Sequence, residues 1–306
     1  MKVLLLFLTF NCCFSQAIID TSYTIHSTYN KEVKKFPFIK KAVFPINNKV
    51  QLFNDVSYKT IQNRNLTLDI FIKKDNNSHA GVILIHGGGW KSGNKTQMHS
   101  LAHEIATNGF TCICVEFRLS DEAKFPAGIL DIKSAIQFVK KNAQKYSINK
   151  NQIAVLGCSS GGQMATLIGT TNGNRKFEEH IENNNSDVQA IINLDGILAF
   201  NHPESQEGKL ATLWLNGSYE EVPNIWKEAS ALEHCNSKTP PILFINSPIT
   251  RFHAGENDMI NKLRDYGIHY EVKNIANAPH SFWFFHPWFE EVVNSSTQFL
   301  NTIFNK

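Results

Sequence analysis

The sequence predicts an α/β fold, with a mostly parallel sheet covered by helices on both faces. Short apolar runs rich in β-branched residues alternate with stretches of helical periodicity, an order typical of successive βαβ units. The run at 81–85 (GVILI) is apolar without a break, as a central strand buried on both faces would be. Since no repeat, low-complexity tract or long linker interrupts the 306 residues, residues 16–306 are predicted to form one domain.

The remaining elements follow from their periodicity. Residues 66–73 (LTLDIFIK) alternate as in a half-buried strand, and residues 131–146 repeat apolar positions at helical spacing. Because ligands bind beyond the carboxyl ends of parallel strands, functional residues should follow these strands. The predicted strands are 66–73, 81–85, 111–117, 153–156, 188–194, 241–246 and 269–274, and the predicted helices are 99–108, 131–146, 160–169, 258–266 and 287–305.

The strand at 81–85 is followed by HGGGW. Three consecutive glycines allow backbone N–H groups to come close to a ligand. We predict that these groups donate hydrogen bonds to an oxyanion. His86 is predicted to hold the loop through side-chain hydrogen bonds and to take no part in catalysis.

The strand at 153–156 leads into GCSSGG. Residues 157–161 fit the G-x-S-x-G pattern with Ser159 at its centre, where a strand-to-helix turn exposes a nucleophilic hydroxyl. Ser160 does not fit the centre, because position 158 is cysteine. Its backbone N–H lies at the start of a predicted helix, where the helix dipole favours negative charge, and is predicted to be a second oxyanion donor.

A nucleophilic serine needs a base. His280 follows the last predicted strand, in the stretch IANAPHSFWFF, and agrees with the chain order serine, acid, histidine. His286 is the rival, but it lies further along, beside Pro287 at the start of the final predicted helix. We predict His280 as the base.

The acid that should orient this histidine is left open by the sequence. The loop after 241–246 reads SPITRFHAG and contains no carboxylate. Asp195 is the first candidate, because packing does not explain a carboxylate at the end of an apolar strand. Asp258 and Glu256 are the alternatives, although acids at the start of a helix are also favoured by the helix dipole.

Together these residues resemble the α/β-hydrolase superfamily. The motifs are HGGGW at 86–90, FRLS at 117–120, FPAGILD at 125–131, GCSSGG at 157–162 and PH at 279–280. They look most like the exported esterase and lipase branch that includes acetylxylan and feruloyl esterases. The resemblance extends over roughly residues 50–305.

The resemblance implies the α/β-hydrolase fold and a serine esterase that works through an acyl-enzyme without a cofactor. It assigns Ser159 as the nucleophile, His280 as the base, and the backbone of Gly88, Gly89 and Ser160 as the oxyanion hole. The chain departs from the pattern in the missing acid after 241–246. Some superfamily members place the acid one strand earlier, where Asp195 stands.

Substrate residues are sought near the same strand ends. The stretch 196–238 is predicted to fold over the active edge as a small cap, and aromatic rings there and beside the base can stack on sugars or aromatic acyl groups. Arg251 and His253 could bind a carboxylate. The candidate substrate-binding residues are Trp90, Arg251 and Trp283. We expect removal of acetyl or feruloyl groups from plant or algal polysaccharides or oligosaccharides.

Two other classes of function stay open. A general small-ester esterase or lipase, or a peptidase of the same fold, would share these motifs, but such peptidases usually carry an additional propeller domain. The segment before the first predicted strand is too short for one. A non-catalytic binding module on a degenerate esterase fold would typically have lost its nucleophile or base, and both Ser159 and His280 are present.

Residues 1–15 are predicted to be a signal peptide. A lysine precedes an apolar run that is too short to span a bilayer, and Ser15 offers a small residue near a cleavage site. We therefore expect a secreted or periplasmic protein without a membrane span. Lipid attachment at Cys12 or Cys13 is disfavoured, because the preceding residues do not form a convincing lipobox.

Charge and cysteine usage exclude several partners. The formal net charge is +3 at pH 7 without a concentrated basic block, so no nucleic-acid partner is predicted. No Cys or His pair stands at metal-ligand spacing, so no metal site is predicted. Beyond the signal peptide, buried free thiols are predicted, with a Cys158–Cys235 bridge as the alternative. The cysteines concerned are Cys112, Cys114, Cys158 and Cys235. The sequence does not indicate an oligomeric state.

Overall fold

The computed structural model describes residues 22–44, 49–75, 77–179, 186–206 and 208–304. The signal peptide predicted at 1–15 lies outside these residues. The strands are β1 (Lys40–Lys41), β2 (Val50–Ile61), β3 (Arg64–Lys73), β4 (His79–Ile85), β5 (Thr111–Val115), β6 (Ile148–Cys158), β7 (Ala190–Leu194), β8 (Ile242–Asn246), β9 (Tyr270–Asn274) and β10 (Phe285–His286). The helices are α1 (Ile25–Glu32), α2 (His99–Thr107), α3 (Ala127–Lys141), α4 (Ser160–Thr170), α5 (Gly208–Leu215), α6 (Pro223–Ala229), α7 (Ala231–His234), α8 (Glu256–Asp265) and α9 (Trp288–Phe304).

The main sheet has eight strands in the order β2-β3-β5-β4-β6-β7-β8-β9. From β5 to β9 all neighbouring strands run parallel. At one edge, β2 pairs antiparallel with β3, and β3 pairs antiparallel with β5. The short strands β1 and β10 form a separate antiparallel pair. The predicted mostly parallel sheet is therefore confirmed.

The pleat of the central strand divides the core into two layers. In β4, Ile83 and Ile85 belong to a core that includes Ile132 of α3. Val82 and Leu84 point the other way, into a core built with α2 and α9. Because apolar layers cover both faces, β4 has no polar position after His79, and this part of the strand contains the unbroken apolar run from which it was predicted.

Several elements differ from the prediction, among them α3 and β2. The helix predicted at 131–146 is α3, which begins and ends earlier. Its first residue, Ala127, follows Pro126, which has no N–H for a preceding helical turn. The strand β2 was not predicted. It is an edge strand whose residues are mostly exposed or half-buried, so it lacks the apolar run that marks a central strand.

Three short helices, α5, α6 and α7, lie within the excursion predicted as a cap. Trp214 of α5 stacks on Trp90 of the HGGGW loop, with ring centroids 5.0 Å apart. Leu210, also on α5, lies beside Gly89. The excursion therefore contacts the loop that follows β4.

The cysteines of the described part of the chain, Cys112, Cys114, Cys158 and Cys235, are all free and buried. The predicted buried thiols are therefore observed, and the alternative Cys158–Cys235 bridge is not. Burial raises the pKa of the Cys158 thiol well above its usual value. This thiol is thus held in its neutral form beside the serine that follows it.

An ion pair joins two of the motifs from the sequence, FRLS and FPAGILD. Both oxygens of the buried Asp131 accept hydrogen bonds from the Arg118 guanidinium, at 2.8 and 2.9 Å. The Arg118 backbone N–H and the Lys59 ammonium donate to the same carboxylate, at 3.1 and 2.7 Å. These donors compensate a negative charge that is fully removed from solvent, and they fix the loop after β5 to α3.

We expect Asp131→Ala to lower the free energy of unfolding by about 3 kcal/mol, because it leaves two cationic groups without their buried partner. Urea unfolding followed by circular dichroism measures the change. Asp121→Ala, at an exposed position of the neighbouring loop, is the matched control and should change stability by less than about 0.5 kcal/mol. Equal losses in the two variants would contradict the role given to Asp131.

Candidate active site

The loops at the carboxyl ends of the parallel strands form one group. HGGGW follows β4, Ser159 follows β6, Asp195 follows β7 and His280 follows β9. Parallel strands place these ends at the same edge of the sheet. The structure therefore brings together residues that lie far apart in the chain.

Ser159 lies at a sharp turn between β6 and α4. Its backbone angles, φ 55° and ψ −124°, are sparsely populated for a residue with a side chain. Its N–H donates to the Leu194 carbonyl at 2.8 Å, which fixes the turn to β7. A methyl group at Gly157 would overlap the carbonyl of Gly161, and one at Gly161 would overlap the carbonyl of Ile85. The flanking glycines are therefore required for this close backbone approach.

Ser159, His280 and Asp195 form a line of hydrogen-bonded groups. The Ser159 Oγ and His280 Nε2 atoms are 2.8 Å apart, and His280 Nδ1 is 2.8 Å from Asp195 Oδ2. Because an ionised carboxylate can only accept, Nδ1 carries the proton. The Nε2 lone pair is then free to accept the serine hydroxyl. This is the relation of nucleophile, base and orienting acid.

The second oxygen of Asp195 is also matched by donors. Asp195 Oδ1 accepts the backbone N–H of Ser247 at 2.7 Å and the Nε2 proton of His253 at 2.8 Å. Both donors lie on the loop after β8, the loop that contains no carboxylate. His253, predicted as a carboxylate binder, thus binds a carboxylate of the protein itself. The role of Ser247 was missed, since a backbone donor leaves no mark in the sequence.

The pKa values of this group follow from burial and these bonds. Burial alone would raise the pKa of Asp195, but the hydrogen bonds from His253 and His280 hold it below the usual carboxyl value. Burial lowers the pKa of His280 below the usual histidine value, although the bond to Asp195 and its negative charge oppose this shift. At neutral pH the arrangement is therefore a carboxylate beside a neutral imidazole.

The other candidate acids lie elsewhere. The Asp258 side chain is 60% exposed, and it contacts His202 at 3.3 Å. Glu256 is buried and accepts a hydrogen bond from Asn246 at 2.9 Å, and burial raises its pKa. Of the three candidate acids, Asp195 is the one that hydrogen-bonds His280 Nδ1. The rival base, His286, contacts Glu290 in the first turn of α9.

The backbone predicted to form the oxyanion hole borders Ser159. Gly89, Ser159 and Ser160 line one small cavity. Gly88 and Gly89 have φ values of 131° and 61°, which glycine adopts without strain. The loop is further fixed by Ser92, whose N–H and hydroxyl both donate to the Gly88 carbonyl at 3.0 Å.

His86 has the contacts of a loop-holding residue. Its Nδ1 lies 2.8 Å from the Gly87 carbonyl, and its ring stacks on Phe117 at 4.6 Å. Burial lowers its pKa to about 4. The ring is therefore neutral at pH 7 and donates its Nδ1 proton to the loop, which agrees with the structural role predicted for it.

Of the three candidate substrate-binding residues, two border spaces beside Ser159 and the third is buried elsewhere. Arg251 lines an open cleft of about 470 Å³ that also contains Ser159 and His280, and Trp90 lines the small cavity beside Ser159. The assignment of Trp283 to substrate binding has to be corrected. Its side chain is 2% exposed and lines neither space. Its indole packs edge-on against the His280 ring and belongs to the apolar core formed with α2 and α9. An aromatic residue close to a base in sequence cannot by itself be assigned to the solvent side.

Two further features bear on cofactors and membranes. Within the ranges described above, no group of three or more His, Cys, Asp or Glu side chains is placed to hold a metal ion. Among these same residues, no helix has the length and apolar character needed to cross a membrane.

Comparison with known proteins identifies relatives. The model of the BD-FAE family matches residues 68–249, more than half of the chain. Esterase LipC of Mycobacterium tuberculosis is 26% identical over 188 residues, which are 58% of this chain and 47% of that protein. The probable carboxylic ester hydrolase LipM of the same organism is 26% identical over 234 residues, which are 74% and 52% of the two chains. The chain thus spans about half the length of these curated relatives.

Solved structures show the same architecture. A truncated form of a carbohydrate esterase from gut microbiota superposes with a TM-score of 0.71 and 23% identity, over 85% of this chain and 100% of that one. The thermophilic esterase Est2 of Thermogutta terrifontis gives a TM-score of 0.69 at 20% identity, over 85% and 95%. The fold is therefore the α/β-hydrolase fold.

We expect Gly161→Ala to destabilise the protein by about 1–3 kcal/mol or more, since the added methyl overlaps backbone that cannot be repacked. Gly208→Ala is the matched control. A methyl there meets no atom within 4 Å, and alanine at a helical position should be neutral or slightly stabilising. Thermal unfolding of both variants measures the difference. Equal transition temperatures would show that the turn at Ser159 does not depend on this contact.

Proposed function

The chain belongs to the BD-FAE family, and from that premise we propose that it is a secreted serine carboxylic-ester hydrolase. We infer that it removes acetyl or feruloyl groups from carbohydrate esters through an acyl-enzyme. The observation that carries this proposal is the hydrogen-bonded line from Ser159 through His280 to Asp195, beside the glycine loop. The signal peptide predicted at 1–15 supports secretion. The names of the related proteins, which include esterases and a carbohydrate esterase, support an ester substrate.

The first half-reaction forms the acyl-enzyme. His280 Nε2 takes the Ser159 hydroxyl proton while Oγ attacks the ester carbonyl carbon. The carbonyl oxygen becomes an oxyanion and accepts hydrogen bonds from the backbone N–H groups of Gly88, Gly89 and Ser160. When the tetrahedral intermediate collapses, the bond to the alcohol oxygen breaks, and that oxygen leaves with the proton from His280.

The second half-reaction restores the enzyme. A water molecule gives a proton to His280 Nε2 and attacks the acyl carbon, and the Ser159 Oγ leaves with that proton. The products are the carboxylic acid and the free serine. Throughout both steps Asp195 fixes the tautomer of the neutral imidazole and stabilises the imidazolium when it forms. Asp195 stays ionised because Ser247 and His253 donate hydrogen bonds to its second oxygen.

We expect Ser159→Ala to abolish hydrolysis of p-nitrophenyl acetate, measured as release of p-nitrophenol. The variant also should not form the serine adduct that a fluorophosphonate gives with the wild type, detected by intact mass. Ser78→Ala is the control, because this exposed serine precedes β4 at the opposite end of the strand. An inactive wild type that forms no adduct would favour a binding module. An unchanged rate in Ser159→Ala would reject the nucleophile.

We expect Asp195→Asn to lower kcat about 10⁴-fold, because an amide that replaces the acid favours the wrong imidazole tautomer. Asp258→Asn is the matched variant. Its exposed carboxylate contacts only the half-buried His202 in the region described, so kcat should change less than about twofold. Steady-state kinetics on p-nitrophenyl acetate compare the two, and a larger loss in Asp258→Asn would move the acid to α8.

The pH dependence of kcat/KM should report His280. The base acts in its neutral form, so activity is present above its pKa and is lost as the pH falls through it. Because burial lowers this pKa, the acid limb of the profile should have its midpoint below the ordinary histidine value of about 6.5. A midpoint at about pH 7 or higher would contradict the assignment of the titrating base or its enclosed environment.

A further inference from the structure

We propose that the enzyme takes esters of a short acyl group, acetyl above all, joined to a bulky alcohol, and that it excludes feruloyl and other aromatic acyl groups. This inference rests on the proposed function and narrows its substrate class. It follows from two spaces of very different size that meet at Ser159: a small cavity bordered by Trp90, and the larger open cleft bordered by His280.

The chemistry decides which space takes which half of the ester. His280 gives a proton to the leaving alcohol oxygen, so the alcohol must lie on the side of His280. Gly89 and Ser159 border both spaces, but His280 lines the open cleft and not the small cavity. The acyl group, once attached to Ser159, therefore points into the small cavity. The alcohol extends through the open cleft.

The small cavity has a volume of about 20 Å³. A single water molecule requires at least about 10–15 Å³ on this measure, so the space suits a methyl group and is far too small for a phenyl ring. The cleft on the alcohol side is about 470 Å³, within the range of small-molecule sites. A sugar unit can lie there without contacting the acyl pocket.

The walls of the cavity are held in place, so a longer acyl group cannot easily displace them. The Trp90 indole N–H donates to Gln163 Oε1 at 2.9 Å. Gln163 in turn donates to the Ala229 carbonyl at 2.8 Å, and the buried Ile197 and Phe252 form further walls of the cavity. Movement of Trp90 would break a buried hydrogen bond and its stacking on Trp214.

The test varies the acyl group while the alcohol stays constant. Kinetics are measured with p-nitrophenyl acetate, butyrate, hexanoate and ferulate. An extra methylene in a closed pocket changes kcat/KM about 10-fold or more, so butyrate should be at least about 10-fold poorer than acetate. Hexanoate and ferulate should be about 100-fold poorer or worse.

A variant links the preference to the cavity. Ile197→Ala should raise the butyrate-to-acetate ratio of kcat/KM about 10-fold, because it removes wall atoms on the acyl side only. Leu210→Ala is the matched control, since Leu210 borders the alcohol cleft and should leave that ratio unchanged. Thermal unfolding confirms that both variants are folded, and the wild-type series stands as an independent measurement if one is not.

The outcomes separate this inference from the proposal beneath it. Absence of hydrolysis with every ester overturns the esterase proposal, and the acyl preference with it. Similar rates with acetate and ferulate overturn only the acyl preference. A ratio that Leu210→Ala shifts and Ile197→Ala does not would place the acyl group in the open cleft, and would also overturn the inference.

Discussion

The active edge of this protein is organised around one buried charge, the Asp195 carboxylate. Removing an ion from water costs several kcal/mol unless donors replace the lost hydration. Here three donors do so: the Ser247 N–H, His253 and His280. They come from the loops that follow β8 and β9, while Asp195 follows β7. The need to compensate this charge therefore fixes the relative positions of three strand ends, and the third donor, His280, is also the group that contacts Ser159.

This arrangement explains a feature of the sequence that looks like a defect. The loop after β8, SPITRFHAG, lacks the carboxylate expected there. It supplies donors to a carboxylate located one strand earlier. A second acid in that loop would stand next to Asp195, and the repulsion would raise the pKa of one of them. The histidine on this loop and the acid on β7 therefore make physical sense together, although either alone gives little indication of the other.

Features that depend on residues close together in the chain could be predicted from the sequence, whereas features that depend on the fold could not. The turn at Ser159 is set by glycines within a few residues, and β4 by a continuous apolar run, so both were predictable. The choice of Asp195 over Asp258 depends on which strand end lies beside His280, and the residues around each acid do not show this. Trp283 was assigned to the substrate for the same reason: its distance along the chain is short, but the side of the imidazole on which it packs is a property of the fold. The polar edge strand β2 carried too little apolar signal to be seen.

The loop after β8 also limits the space beside Ser159, the proposed nucleophile. Phe252, between Ser247 and His253, stacks on the His280 ring at 10° to its plane and forms one wall of the small cavity. The residues that bind Asp195, cover His280 and border the proposed acyl pocket thus lie within seven consecutive residues, 247–253. A shift of this loop large enough to admit a longer acyl group would also displace the donors of Asp195 and uncover His280. The proposed preference for a small acyl group is therefore coupled, through that loop, to the geometry that would carry the reaction.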